Sequence, residues 1–293
     1  MANSRTAGTF RYALQLNQAG PVLLRNVTGL LISSKLMDGE INDFIKNRKI
    51  ESLEYNEVTL EFDIPLPEPV FQLFDAVLKG TVVSGVVSIL KITSAKKVVR
   101  TYDLGNCNIT EVSFSGVDGS AKEKGFATLK LRPQHIDLIQ ADKGTITLPI
   151  AVKNQVFLQS NFGIAIDKVS SARVRSVSSM AVRPHFTDAS QVPGTIDFIE
   201  FKTLRLTLSE SETDKADWQI WLQDFIKNKQ EEGKNGTLTF LGPDLKKVLF
   251  EIALTNLIIV SALFPDSGAA EEIPAVRLEL MYDAATITSN GQK

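Results

Sequence analysis

The chain of 293 residues contains a single cysteine, Cys107, so it forms no disulfide within itself and its fold does not depend on an oxidising compartment. It has two histidines, His135 and His185, and neither has a cysteine or acidic cluster nearby at metal-ligand spacing. A glycine-rich phosphate loop, a nucleophile elbow and an HExxH motif are all missing. We therefore predict a protein with no catalytic residues, no bound metal and no cofactor, and so not an enzyme.

Charge and hydropathy argue against further classes. The net charge of −2 lacks the basic excess of a dedicated nucleic-acid-binding protein, although nucleic acid could still pass along it. The opening MANSRTAGTF has no apolar core of the secretory type, and the longest apolar run, around 257–264, is too short to span a membrane. With 43% hydrophobic and 23% charged residues, the composition is typical of a soluble, globular protein.

The strongest positive feature is a segment that occurs twice. Residues 96–114 read KKVVRTYDLGNCNITEVSF and residues 246–264 read KKVLFEIALTNLIIVSALF, with seven of nineteen aligned positions identical. Each segment is rich in β-branched residues, which predicts a strand, with an asparagine near its middle. The offset of 150 residues suits a whole domain copied once rather than a solenoid. We predict two domains, 1–142 and 143–293.

Each copy also contains an amphipathic helix, predicted over about 69–79 in the first copy and 215–230 in the second. Together with short strands at hairpin spacing, these helices predict a mainly β fold with minor α. The expected architecture is two tandem copies of a small β-sandwich or barrel, each with one packed helix. The apolar stripes predicted to be buried are Val70, Leu73, Phe74, Val77 and Leu78, and Trp218, Trp221, Leu222, Phe225 and Ile226.

After the second strand, where the pattern aligns Val27 with Val169, each copy has a long segment predicted as a loop, 35–53 and 177–197. Loops of this length inside a compact domain are usually functional, and exposed apolar residues usually mark contacts. We therefore expect the two loops to contact a neighbouring subunit or ring; the alternative is that they cap the core locally. The predicted contact residues are Leu36, Met37, Ile41, Phe44, Ile45, Met180, Val182, Phe186 and Val192.

The order of elements places a set of residues at corresponding points of the two copies: Phe74, Leu104-Gly105-Asn106 and Leu129-Lys130-Leu131 in the first, and Trp221, Gly242-Pro243-Asp244, Thr255-Asn256 and Leu278-Glu279-Leu280 in the second. With these residues in this order, the chain resembles the tail tube proteins of contractile phage tails and contractile injection systems, which are related to the type VI secretion tube. Members of that family usually have one such domain in each chain, whereas this chain resembles a tandem duplication, which is also typical of baseplate hubs.

The resemblance implies a structural role. Six tube domains, from three chains, would form a ring around a channel for DNA or effectors, and the rings would stack into a tube. The implied partners are further copies of the chain and the sheath, baseplate and tape-measure proteins, in a virion tail or phage-like particle assembled in the host cytoplasm. One alternative is a baseplate hub or tube-initiator subunit. Another, from a different class, is a two-domain β-sandwich module that binds carbohydrate or protein.

Overall fold

The computed structural model describes residues 10–16, 20–42, 45–81, 85–139, 144–148, 156–188, 194–228, 232–264 and 275–289, with the side chains of 38–48 and 228 excepted. Within these residues the first half of the chain forms β1 (Arg11–Leu16), β2 (Val22–Leu24), β3 (Asn26–Thr28), β4 (Ile32–Asn42), β5 (Ile45–Tyr55), β6 (Val58–Asp63), α1 (Glu68–Leu78), β7 (Val87–Ile92), β8 (Val98–Phe114), β9 (Val117–Asp118) and β10 (Phe126–Ile139). The second half forms β11 (Phe162–Ile166), β12 (Val174–Val177), β13 (Met180–Phe186), β14 (Ile196–Phe201), β15 (Leu204–Ser209), α2 (Glu210–Thr213), α3 (Ala216–Asn228), β16 (Lys234–Leu241), β17 (Val248–Leu263), β18 (Ala275–Met281) and β19 (Ala284–Ser289).

Most of these strands belong to two large, nearly closed sheets. The first has the order β2-β1-β7-β8-β10-β6-β3, and the second has the order β11-β16-β17-β18-β15-β12-β9, with β19 also beside β17. Alternating apolar residues from both sheets build one core cluster that runs through the two copies. The predicted fold class, two β-sandwich or barrel copies with minor helix, is confirmed.

The two repeated segments occupy equivalent strands, as predicted. β8 pairs with β7 and β10, and β17 pairs with β16 and β18, so each repeat is a central strand of its sheet. The asparagines at their middles, Asn106 and Asn256, both have positive φ angles, of 49° and 58°. Asparagine tolerates this left-handed conformation better than most residues.

The irregularities of the two strands also coincide. The register of β8 with β10 skips Thr110, and the register of β17 with β18 skips Val260, its counterpart in the repeat. A second shift leaves out Val99 in β8 and Leu249 in β17. Bulges at matching positions indicate that the copies share detailed geometry as well as topology. The predicted domain boundary at 142/143 falls outside the described residues and stays a prediction.

The helices lie close to their predicted positions. α1 covers 68–78, with a proline in its first turn, where the missing amide costs nothing. α3 covers 216–228 after the short α2, and Trp218, Trp221 and Leu222 are buried as expected. The prediction for Ile226 is wrong, because this residue is exposed at the far end of α3, where no described element covers it.

The prediction of long loops over 35–53 and 177–197 is wrong. β4 and β5 form a separate two-stranded sheet, and β13 and β14 form a second hairpin at the corresponding place. The first hairpin exposes apolar residues and charges together, so it lacks the alternation that marks a half-buried strand. Cross-strand pairs such as Lys35 Nζ with Glu51 Oε2, at 3.1 Å, stabilise it instead.

The alignment of Val27 with Val169 is also wrong. Val27 pairs with Leu60 between β3 and β6, and Val177 pairs with Leu206 between β12 and β15. β3 and β12 are therefore counterparts, because they occupy the same place beside equivalent strands. A valine followed by serine or threonine is too short a pattern to set strand register.

Candidate assembly surface

The hairpin of the second copy completes the sheet of the first. β13 runs antiparallel to the end of β8, where it pairs with residues 112–114. It lies on the same side of β8 as β7, which pairs with residues 98–104 nearer the beginning of the strand. The carbonyl of Ala181 accepts a hydrogen bond from Lys202 N, on the side of β14. The backbone groups of the residues on either side of Ala181 therefore face β8. The paired residues are Met180 with Phe114, Ala181 with Ser113, and Val182 with Val112.

This join between copies buries apolar side chains and carries an ion pair. Val182 is completely buried, with 0% of its surface exposed, and Met180 is buried beside it. Arg183 donates a hydrogen bond from Nε to Glu111 Oε2 at 2.5 Å, and Lys130 Nζ lies 3.1 Å from Glu111 Oε1. Burial alone would raise the pKa of Glu111, but its hydrogen bonds to Arg183 and Lys130, together with their charges, outweigh burial and lower the pKa.

Aromatic rings reinforce the same join. Phe114, at the end of β8, packs against Phe250 of the second copy, with ring centroids 5.1 Å apart. It also contacts Phe74 of α1 at 5.4 Å and Phe240 at 6.5 Å. In return, β9 of the first copy pairs with β12 of the second. Each copy therefore donates a strand to the sheet of the other.

The first copy has a hairpin of the same construction. Asn56 N donates to the carbonyl of Leu31, just as Lys202 N donates to Ala181, so Leu31 is the counterpart of Ala181. Among the described strands β4 pairs only with β5, and Ile32, the counterpart of the buried Val182, is 42% exposed. Gly29 begins this segment with φ +84°, and a Cβ there would collide with the carbonyl of Glu57.

The second copy has a strand edge that corresponds to the part of β8 bound by β13. Residues 262–264 are the counterparts of 112–114, where β8 receives β13. Among the described strands, β18 alone pairs with this end of β17. Phe264 is consequently 48% exposed, whereas its counterpart Phe114 is 1% exposed, and Leu263 is exposed as well.

The predicted contact residues fall into three groups. Leu36 and Met37 are exposed on β4, and their role in contacts stays a prediction. Met180 and Val182 are buried against the other copy of their own chain, and Phe186 is partly buried at the end of β13. For the rest, the structure describes the backbone of Ile41 and Ile45 but not their side chains, and Phe44 and Val192 lie outside the described residues.

The sequence reasoning missed four exposed apolar residues that the structure brings to light, namely Leu31, Ile32, Leu263 and Phe264. Leu263 and Phe264 belong to the repeated segment. Because that segment is apolar, it predicts a strand buried in the core, and the sequence pattern gives no sign that one of its edges is exposed. The available signal was the loss of polarity between the copies: Glu111 and Ser113 of the first correspond to Ser261 and Leu263 of the second.

The ionisable side chains of the described residues give no metal-binding cluster. Within them, no three His, Cys, Asp or Glu side chains come together as a metal site would require. The thiol of Cys107 is buried, which raises its pKa to about 12. His185, expected in a loop, lies in β13, where it stacks on Phe198 at 4.3 Å and contacts Glu200 Oε2 at 3.0 Å. No described helix combines the length and apolar character needed to cross a membrane.

Comparison with known proteins shows a similarity in structure. No protein-family model matches the chain, and no curated protein matches its sequence. The fold is similar to a chain in the cryo-EM structure of the anti-feeding prophage baseplate, symmetrised six-fold, with a TM-score of 0.40 and 17% sequence identity. The match covers 47% of this chain and 97% of that one.

Proposed function

We propose that the chain is the structural subunit of a phage-tail-like tube, built from stacked rings around a central channel. The observation that carries this proposal is the join inside the chain, where β13 of one copy completes the edge of β8 in the other. The hairpin β4–β5 repeats the donor half of that join and pairs with no further described strand, and the end of β17 repeats the acceptor half, with β18 on one side only among the described strands. Each chain therefore presents one donor surface and one acceptor surface.

A donor and an acceptor of this kind associate head to tail. Such a contact forms a closed ring when the rotation between subunits divides a full turn, and an open filament when it does not. Since the two copies share one fold, the step between chains can repeat the step within a chain. The resemblance noted from the sequence implies six copies to a ring, which would be three chains of 32.2 kDa.

In such a tube the chain works by self-association rather than catalysis. Pairing every exposed strand edge with a neighbour removes the tendency of free edges to aggregate. The sheath, baseplate and tape-measure proteins would be its neighbours, and DNA or effector proteins would pass through the channel without being bound. This setting, a virion tail or phage-like particle assembled in the host cytoplasm, follows from the resemblance.

A baseplate hub or tube initiator is the second candidate, because the same two surfaces would also close a single ring. The tip of the β4–β5 hairpin favours the stacked tube, since Leu36 and Met37 are exposed beyond the part that matches the β13–β14 join. A carbohydrate- or protein-binding module would instead stay monomeric. The state of assembly therefore separates all three candidates.

Electron microscopy and mass measurement of the purified protein test the proposal. We expect rings with a mass of about 97 kDa, three times the chain mass of 32.2 kDa, and tubes at higher concentration. Rings that never stack would support the hub. A protein that remains monomeric over the whole concentration range would contradict both assemblies and favour the module.

A shortened hairpin separates ring closure from stacking. Lys35 and Ser52 are paired in the hairpin, so residues 36–51, which include Leu36 and Met37, can be replaced by an Asn-Gly turn that keeps both strands in register. We expect this variant to fold, judged by circular dichroism and a cooperative melt, and to form rings but no tubes. Normal tubes from this variant would show that the tip has no role in stacking.

A further inference from the structure

The two hairpins of the chain have the same register over their first four pairs. Ile32 pairs with Tyr55 in the first hairpin, and Val182 pairs with Phe201 in the second. The next three pairs of each hairpin follow without a register shift. The further pairs are Ser33 with Glu54, Ser34 with Leu53 and Lys35 with Ser52, corresponding to Arg183 with Glu200, Pro184 with Ile199 and His185 with Phe198. The base of β4 therefore has the same backbone pattern as the strand that binds β8.

We propose that the base of the β4–β5 hairpin in one chain adds as an antiparallel strand to the end of β17 in a second copy of the chain. The contact copies the β13–β8 join, and the inference rests on the ring of the proposed function. Transferring the observed register by the offset of 150 residues gives the pairs Leu30 with Phe264, Leu31 with Leu263, and Ile32 with Ala262.

Exposure supports this assignment on both sides. On the donor, Ile32 is exposed whereas its counterpart Val182 is buried, and on the acceptor, Phe264 is exposed whereas its counterpart Phe114 is buried. Leu31 and Leu263 are exposed beside them. Strand addition would cover these apolar groups and also supply the backbone partners that a strand edge needs. A polar ligand would leave the same apolar groups in water, so a second copy fits the surface better.

A second contact follows from the same superposition. Inside the chain, Ile199 of β14 lies beside the end of α1, within 3.9 Å of where a Cβ of Gly80 would be. The counterpart of Ile199 is Leu53, which is exposed on β5, and the end of α3 carries the exposed Ile226. In the proposed join these two apolar side chains approach each other. This accounts for the exposure of Ile226, which nothing described within the chain explains.

The joins within and between chains are not identical in charge. The ion pair between Arg183 and Glu111 has Ser33 and Ser261 as its counterparts. Two serines neither attract strongly nor repel, so the join between chains depends on apolar contact and backbone pairing. This difference gives each hairpin its own preferred edge and keeps the first copy from binding the wrong half of a neighbour.

Disulfide trapping tests the register directly. Because Leu31 is the counterpart of Ala181, whose backbone faces away from β8, its pair with Leu263 has no backbone hydrogen bonds. The Cα atoms of such a pair lie about 4.5 Å apart, within the range that a disulfide bridges. Both positions are exposed, so the variants should fold. The native Cys107 is buried with its pKa at about 12, so it should not compete.

The experiment mixes the full-length variant Leu31→Cys with the full-length variant Leu263→Cys under mild oxidation. We expect a disulfide-linked dimer from the mixture and none from either variant alone. Leu31→Cys mixed with Ser261→Cys is the matched control, because the diagonal pair, about 7–8 Å apart, is too far to bridge. The double variant Leu31→Cys/Leu263→Cys should give a covalent species of three chains on a denaturing gel.

Electron microscopy of the same samples separates this inference from the proposed function. Rings or tubes without the 31–263 disulfide would overturn the strand pairing and leave the tube intact. The disulfide without rings would support the pairing and overturn the tube. Equal cross-linking through Ser261→Cys, or a dimer of Leu31→Cys with itself, would overturn the register, and the absence of both rings and disulfide would overturn both proposals.

Discussion

The Arg183 guanidinium donates a hydrogen bond to the carboxylate of Glu111 across the join between the two copies, from a hairpin of one to the central strand of the other. Glu111 is almost fully buried and accepts a second charge-assisted contact from Lys130. The ion pair therefore belongs to the place where one copy depends on the other for the completion of its sheet. Its removal tests how strongly the copies are coupled.

Glu111→Gln should lower the free energy of unfolding by about 1–3 kcal/mol, because Arg183 and Lys130 lose a charged partner whose carboxylate is nearly buried. Denaturant unfolding of the monomer measures the effect. Glu279→Gln is the matched control, since Glu279 also pairs with an arginine, Arg205, which is largely exposed. A loss for Glu111→Gln no larger than for Glu279→Gln would show that the pair contributes little to the join.

The stabilisation by Glu111 should depend on pH in a defined direction. Burial opposes the effect, but hydrogen bonds and the nearby positive charges hold its folded pKa below the ordinary value of 4.5. The contribution is therefore complete above 4.5 and is lost as the pH falls through the lower, folded value. The difference in unfolding free energy between wild type and Glu111→Gln, followed from about pH 7 to about pH 3, should be constant and then shrink. A difference that grows on acidification would contradict this assignment.

Trp221→Ala should destabilise the chain by about 3–5 kcal/mol, because it removes a large buried ring and leaves a cavity. Trp221 packs against Trp218, with ring centroids 5.4 Å apart, on the buried face of α3. Ile220→Ala, one residue earlier but exposed, is the control and should change stability by no more than about 0.5 kcal/mol. Similar losses in the two variants, measured by thermal or denaturant unfolding, would argue against a role for Trp221 in the core.

The duplicated fold could be predicted from the sequence, because the repeated segments share spacing as well as residues. The strands β8 and β17, and the stripes of α1 and α3, all place apolar residues with a period that matches their burial on one face. The hairpin β4–β5 could not be predicted in this way. It is stabilised by the pairing of its own two strands rather than by burial of one face. Its residues therefore do not alternate between apolar and polar, and the hydrophobic pattern does not predict its strands.

The join between the copies could not be predicted from the sequence either. β13 binds the edge of β8 largely through backbone groups, which every residue except proline supplies, so no motif marks the acceptor. The trace in the sequence is the apolar character of Met180 and Val182, which we expected to contact a neighbouring subunit or ring, or alternatively to cap the core locally. The structure shows that the neighbour they meet is the other copy within the same chain.

Phe114 and Phe264 occupy the same position in the two copies, but their replacement by alanine should change the stability of the monomer to very different extents. Phe114→Ala should cost about 3–5 kcal/mol in the monomer, because its ring is buried among Phe74, Phe240 and Phe250. Phe264→Ala should change monomer stability by no more than about 0.5 kcal/mol, since its ring is exposed.

Phe264→Ala should weaken assembly although it leaves the monomer stable, because the ring of Phe264 would be buried only when a second chain covers the end of β17. We expect Phe264→Ala to weaken ring formation at least about tenfold in concentration, which corresponds to about 1.4 kcal/mol for each contact. Mass measurement across a dilution series gives this midpoint, and the unfolding of the diluted monomer gives the stability. If Phe264→Ala destabilised the monomer as much as Phe114→Ala, the ring of Phe264 would already be covered within its own chain. A normal assembly midpoint would show instead that the end of β17 is not an acceptor, and the join between chains would have to lie elsewhere.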